Sequence, residues 1–314
     1  MSETFTLSRI FWRPAEITGS NPLAAVAATQ ERVMADDPII HMTMASEDAN
    51  VLLVREALVG ASQALDLDAL ALEDILTAVT EACNNVVLHA YPRGRGSLQF
   101  ELRARDEVLE AVVRDHGVGI RPRLRSSRAQ IAGIGIPVIQ SLARRVEFRR
   151  PESGAGTEVR MEFEIRSNAT LGGLAEDGVS AIPMPHLADP AAVIITISPA
   201  RLLQAMLPRL LGVLGAQADF STSRLSDVHI LADALAAHAP SVLEVDGLSL
   251  VAAVTPHALE LSLAPLAPAG GERLLGDSEI PSLGSIIVRL TDGQSMTERD
   301  STTGALALQL HDRR

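Results

Sequence analysis

Three short stretches place side chains where chemistry is possible. In TEACNNVVLHAY, residues 80–91, Glu81, Asn85 and His89 recur at every fourth position, so a helix would put them on one face. Asparagine suits a helix interior poorly because its short amide competes for backbone partners, yet Asn84 and Asn85 stand side by side. Two in a row mean either a tolerated local cost or a task. The second stretch, Asp115-His116-Gly117-Val118-Gly119, follows a strand and can continue as neither strand nor helix. Glycines there let the backbone approach a ligand closely, and an acid fixed at a strand end can accept a hydrogen bond from an exocyclic amine. The third, Gly133-Ile134-Gly135-Ile136-Pro137, opens a helix, where free amides and the positive dipole end favour phosphate and proline suits the first helical position. Gly156-Thr157 adds a turn with a hydroxyl before the last strand of this region.

The elements that must position these residues are legible in the hydrophobic periodicity. Leu72, Ile75, Leu76, Val79, Ala82, Val86, Val87 and Ala90 step by three and four along the first stretch, a buried stripe on a different face from Glu81 and Asn85. Cys83 falls on the apolar side and reads as a buried, inert thiol. Residues 1–37 show no sustained period and form an N-terminal extension. After it come a strand at 39–44, a helix over DANVLLVREALVGASQALDL, the helix with the two asparagines, and the strand-like runs SLQFELRAR and VLEAVVRD. A Gly- and Arg-rich loop, a helix over IPVIQSLARRV and a strand at EVRMEFEI complete a module at 38–166. That succession predicts a sheet covered on one face by helices.

Residues 167–191 collect Gly, Pro, Asp and Ser without a period and read as a linker. In 192–314 the order of signals repeats: VIITISPA parallels IIHMTMAS, ARLLQAMLPRLLGVLGAQAD parallels the first helix, and RLSDVHILADALAAHA parallels the second. ALELSLAPL and GALALQLH follow as strands. The second half is either a degenerate repeat or an unrelated α/β regulatory domain. If it is a repeat, Pro265 stands where Asp115 would be, Ala267 matches Gly117, and no asparagine occurs after Asn168.

Composition narrows the function classes. The chain has 314 residues, 47% hydrophobic and 21% charged, as expected of a folded protein with one large or two ordinary domains. A net charge of −12 argues against non-specific nucleic-acid binding. All 27 basic residues are arginine, so a P-loop lysine, a Schiff base and a eukaryote-type kinase lysine are excluded. The single cysteine excludes an intrachain disulfide and a cysteine-based zinc site. No apolar run approaches the roughly 18–20 residues of a membrane span, and the N-terminus lacks the order of a signal peptide, so a cytoplasmic location is expected.

Taken in order, Glu-x-x-x-Asn, Asp-x-Gly-x-Gly, Gly-x-Gly and Gly-Thr resemble the boxes of the Bergerat-fold (GHKL) ATPases, and within them the bacterial anti-sigma factor serine-protein kinases. EACNNVVLHAY matches that family's N-box, DHGVGI its adenine-site box and GIGIPVI its glycine box, over about residues 38–166. The resemblance implies an α+β fold, a two-layer α/β sandwich of the Bergerat type. It implies ATP and Mg²⁺ as cofactors, with Asn85 as metal ligand, Asp115 accepting from the adenine amino group, and Gly117 and Gly119 giving the base room. Gly133 and Gly135 would leave amides free for phosphate, Thr157 would support the adenine side, and Glu81 would take the proton of an attacking serine hydroxyl. Arg128, in the segment read as a lid, is a further phosphate candidate, with a solvated basic loop as the alternative. His89 has packing or capping as its plainer role.

The expected function is therefore an ATP-dependent serine-protein kinase and anti-sigma factor that phosphorylates a STAS-type anti-anti-sigma protein and binds a sigma factor. The alternative is a nucleotide-gated adaptor that holds its partner without phosphotransfer. The family resemblance also implies a homodimer, or an intrachain pseudo-dimer if the second half is a repeat.

Overall fold

A computed structural model of the chain describes residues 38–105, 107–119, 135–151, 154–165, 192–280, 284–298 and 304–312. The extension and the linker read from the sequence lie outside the described residues.

Alternation sets the first strand: in β1 (Ile40–Ala45), Ile40, Met42 and Met44 are fully buried while His41 and Thr43 stay half-buried on the other face. Helix α1 (Asp48–Ala64) buries Leu53, Val54, Ala57, Leu58 and Ala61. Asp68 accepts a hydrogen bond from the Leu70 amide at 3.0 Å and so caps α2 (Ala69–Asn85), whose buried residues Ile75, Ala78, Val79, Ala82 and Cys83 keep the stripe read from the sequence. At Asn85 the α-helix gives way to a π-helical turn, Val86–Ala90. The wider turn moves His89 off the line through Glu81 and Asn85 that regular α geometry predicts.

Strands β2 (Ser97–Arg105) and β3 (Val108–Asp115) form a hairpin, followed by α3 (Gly135–Leu142), β4 (Arg145–Arg149) and β5 (Glu158–Glu164). The sequence reading ran the helix through Arg145–Val146; α3 instead stops at Leu142 and RVEFR is an edge strand. Leu98, Phe100, Leu102, Leu109, Ala111, Val113, Met161 and Phe163 point into one core beneath the helices. Truncating a fully buried side chain such as Phe100 to alanine costs about 3–5 kcal/mol. The opposite sheet face carries cross-strand ion pairs: Arg114 meets Glu101 at 3.1 Å and Glu158 at 2.8 Å, and Arg103 meets Glu110 at 3.1 Å. These pairs span β2, β3 and β5, the strands that hold the candidate site.

The second half contains β6 (Val193–Ile197), α4 (Leu203–Gln217), α5 (Thr222–His238), β7 (Leu248–Thr255) and β8 (Ala258–Leu266). Helices α6 (Gly270–Asp277) and α7 (Ile286–Leu290) then flank a short hairpin, β9 (Glu279–Ile280) with β10 (Gly284–Ser285), before β11 (Gly293–Glu298) and β12 (Gly304–His311). The two halves do not form separate sheets. One antiparallel ten-stranded sheet runs β11-β12-β8-β7-β6-β1-β2-β3-β5-β4, and its order reads alike from either edge once the halves are matched. At the centre β1 pairs with β2 on one side and with β6 on the other, Met42 facing Ile195. Helix α1 packs on α4 above that junction. Among the described residues, no helix is long and apolar enough to cross a membrane.

Candidate nucleotide site

Strand β3 delivers Asp115 to its C-terminal end, where the residue is only 3% exposed and its carboxylate is held by backbone donors. The Gly117 amide donates to Oδ1 at 2.7 Å and the Thr157 amide to Oδ2 at 3.1 Å. Burial pushes the Asp115 carboxyl above its ordinary range, against the pull of those two amides and of the Thr157 side-chain hydrogen bond. With an amide on each oxygen and the Thr157 hydroxyl as a further donor, the group is a fixed acceptor at the strand end with part of its lone-pair capacity left.

Neighbouring backbone leaves no space for side chains at two of the glycines. A Cβ on Gly117 would lie 2.1 Å from the Ala90 carbonyl oxygen, and one on Gly156, at φ +90°, would lie 1.9 Å from the Asp115 carbonyl oxygen. The loop is tied to the end of α2 at two more points. The Val118 amide donates to the Ala90 carbonyl at 2.9 Å, and the Tyr91 hydroxyl accepts from the His116 amide at 2.9 Å while donating to the Ser97 carbonyl at 2.8 Å. The π turn therefore ends in contact with the Asp115–Gly119 loop, which links the helix carrying Asn85 to the candidate adenine acceptor.

Glu81 and Asn85 are both half-buried on α2. A Cβ on Gly135 would fall 1.9 Å from Glu81 Oε1, so α3 begins directly against this carboxylate, and a side chain here would require Glu81 to swing aside. Gly133 and Arg128 lie outside the described residues. Cys83, between Glu81 and Asn85 on the buried side of α2, is fully buried and its thiol is pushed up to about 12 by that burial, so it is inert. The structure thus joins Asp115, Gly117, Gly119 and Thr157 in one group and Glu81 with Gly135 in a second, with Asn85 on the helix between them.

Beside the first group lies a cavity of about 460 Å³, lined by Gly117, Gly119, Phe148, Arg149, Gly156 and Thr157 among others. That volume falls within the range of small-molecule and cofactor sites. Sequence reasoning missed Phe148, Arg149 and Arg150 because β4 is short and charged. The signal present was Val146 and Phe148 alternating with Arg and Glu. It also missed Tyr91 and the Ala90 carbonyl, whose roles depend on where α2 ends in space.

A carboxylate held by two amides, in a cradle that a Cβ would fill, beside a nucleoside-sized cavity, fits a nucleobase. Residues 44–163 match the histidine kinase-like ATPase domain. The chain belongs to the histidine kinase-like ATPase family, in its anti-sigma factor and serine-protein kinase group. It is 30% identical over 157 residues to the serine-protein kinase RsbW of Halalkalibacterium halodurans, covering 45% of this chain and 91% of that one. It is 29% identical over 140 residues to the anti-sigma F factor of Oceanobacillus iheyensis, covering 41% and 94% respectively. A third relative, the anti-sigma F factor of Shouchella clausii, is 31% identical over 111 residues, covering 32% of this chain and 74% of that one.

The second half carries features at positions that match those of the first. Asp66 and Asp219 both take positive φ, Asp68 and Ser221 both cap a helix, and Asn85 and His238 both end one, each pair separated by the 153 positions that also separate Glu56 from Arg209. The same spacing puts Ala234 at the place of Glu81. Ala264 faces Ser249 as Arg114 faces Gln99, so Pro265 takes the place of Asp115. Glu81, Asn85 and Asp115 are thus matched by Ala234, His238 and Pro265, none of which carries a carboxylate or an amide side chain.

Proposed function

We propose that the chain is an ATP-dependent serine-protein kinase and anti-sigma factor, with its nucleotide site in the first half. The observation that carries this reading is the Asp115 carboxylate, oriented by the Gly117 and Thr157 amides with lone pairs left for an exocyclic amine. The names of the relatives support the regulatory role. ATP would place its base against Asp115 and its phosphates toward the start of α3, where Gly135 meets Glu81. Among the described residues no group of three or more His, Cys, Asp or Glu could hold a metal, so a Mg²⁺ here would rest on Asn85 together with phosphate oxygens and water. In transfer, a serine oxygen of a STAS-type protein would bond to the γ-phosphorus as the bond to the β–γ bridging oxygen breaks. ADP would leave and Glu81 would take the hydroxyl proton.

The test is label transfer from γ-labelled ATP and Mg²⁺ to STAS-domain proteins, comparing the natural chain with Glu81→Ala and Asn85→Ala. Transfer lost in both variants supports the kinase. Nucleotide binding with no transfer to any candidate would replace it with the gated adaptor.

The second half we read as a degenerate copy that completes an intrachain pseudo-dimer with one nucleotide site. The mirrored strand order, the constant spacing of matched features and the β1–β6 junction support this reading. Light scattering should give the mass of one chain, 33.3 kDa, and titration should give one nucleotide per chain. Two nucleotides per chain would overturn it.

A further inference from the structure

The junction between the halves has an approximate two-fold axis, and the residues on that axis are not alike. In β1–β6, Met42 faces Ile195, and the flanking pairs His41–Thr196 and Thr43–Ile194 exchange places under the rotation. One layer up, where α1 packs on α4, Glu56 meets Arg209 with 3.0 Å between Oε2 and Nη1. These two positions also match, 153 residues apart. A residue near such an axis faces its own counterpart, so pairing two first halves would set Glu56 against Glu56, and pairing two second halves would set Arg209 against Arg209. Only the mixed pair puts opposite charges together. The side chains are 28% and 31% exposed, so water weakens the contrast without removing it.

Shape makes the same distinction at a second place. Gly60 sits on α4 so closely that a Cβ there would lie 2.9 Å from Met206 Cγ and 3.0 Å from the Ala205 carbonyl oxygen. Its match in the second half, at the same spacing, is Val213. A pair of second halves would bring Val213, with its β-branched side chain, to the place where a single added carbon is already crowded.

We propose that Glu56–Arg209 and Gly60–Met206 are specificity contacts: the ion pair disfavours pairing of either half with another copy of itself, and the close approach at Gly60 disfavours a pair of two second halves. The proposal rests on the pseudo-dimer reading given above. It also names the occupant of the β1 edge: an exposed central edge strand would otherwise be a template for pairing with a second chain, and β6 covers it.

The full chain can report the penalty that each wrong pairing would meet. Arg209→Glu recreates the acid–acid contact of two first halves, Glu56→Arg the base–base contact of two second halves, and Gly60→Val the crowding at Met206. Chemical unfolding should show each charge reversal lowering the folding constant by about tenfold. The double reversal Glu56→Arg/Arg209→Glu should recover to within about threefold of the natural chain. The loss in the single variants should shrink in high salt, which a packing defect would not show. Gly60→Val should lower the folding constant by tenfold or more, with no salt dependence. Milder Glu56→Gln and Arg209→Gln variants keep the charge cycle readable if a reversal fails to fold. Charge reversals that are neutral, or a double variant no better than the singles, would overturn the proposal while leaving the pseudo-dimer intact. A natural chain with the mass of two chains would remove the pseudo-dimer itself, whatever the cycle shows.

Discussion

Replacing Asp115 by asparagine preserves shape and changes only which atoms can accept hydrogen bonds. The carboxylate takes one bond from the Gly117 amide at 2.7 Å and one from the Thr157 amide at 3.1 Å, one on each oxygen. An asparagine has one oxygen and one NH₂ in those places, so whichever way it turns, one buried amide faces another donor. Leaving a buried donor unpaired costs about 1–3 kcal/mol. Part of this is offset, because burial already disfavours the Asp115 charge that the substitution removes. The stability change should therefore be small, about 1–2 kcal/mol at most. Nucleotide affinity has no such offset. The adenine amino group would lose its charged acceptor and in one orientation meet an NH₂. Losing about 2–3 kcal/mol corresponds to roughly 30- to 150-fold in Kd. Isothermal titration of Mg·ATP into the natural chain and Asp115→Asn measures the affinity, and thermal unfolding without nucleotide measures the stability. An Asp115→Asn chain that folds normally and binds Mg·ATP with the natural affinity would refute the assignment of Asp115 to the base.

Other expectations follow from the same geometry. Because burial raises the Asp115 carboxyl, nucleotide affinity should fall on acidification earlier than for an ordinary aspartate, as the protonated group stops accepting on one oxygen; titrations across pH check this, with Asp115→Asn nearly flat. Gly117→Ala would place a Cβ 2.1 Å from a backbone oxygen that cannot step aside, so nucleotide-dependent thermal stabilisation should disappear and the chain itself lose several kcal/mol, about 2–4. Glu101 is raised by burial but lowered more by the His41 hydrogen bond and the Arg103 and Arg114 charges, from 4.5 to about 2. A lowered folded value gives stability that is present above pH 4.5 and lost as pH falls toward 2. Its magnitude is about 3 kcal/mol, so Glu101→Gln should be less stable near neutrality and show a flatter acid limb in denaturant titrations against pH. An acid limb unchanged by Glu101→Gln would place the titrating group elsewhere.

Much of the site is legible without coordinates because its parts are local. Asp115, Gly117 and Gly119 occupy five consecutive positions after a strand, and Glu81 and Asn85 lie one turn apart on a helix whose apolar stripe is unmistakable. Fold class follows from the same periodicities. Strand β4 escapes because five residues rich in Arg and Glu have too weak an alternation to separate from the end of a helix. With it go Phe148, Arg149 and Arg150 of the cavity wall.

The sequence by itself determined most elements of the first half and the order of the boxes, since each depends on residues within a turn or a strand of one another. Only the tertiary structure decided that both Asp115 oxygens are held by amides 2 and 42 positions away, that Tyr91 ties the helix end to the loop, and that β6 closes the edge of β1. Those contacts join segments far apart in the chain, and hydrophobic period sets which face of a strand is buried without naming the strand that lies beside it.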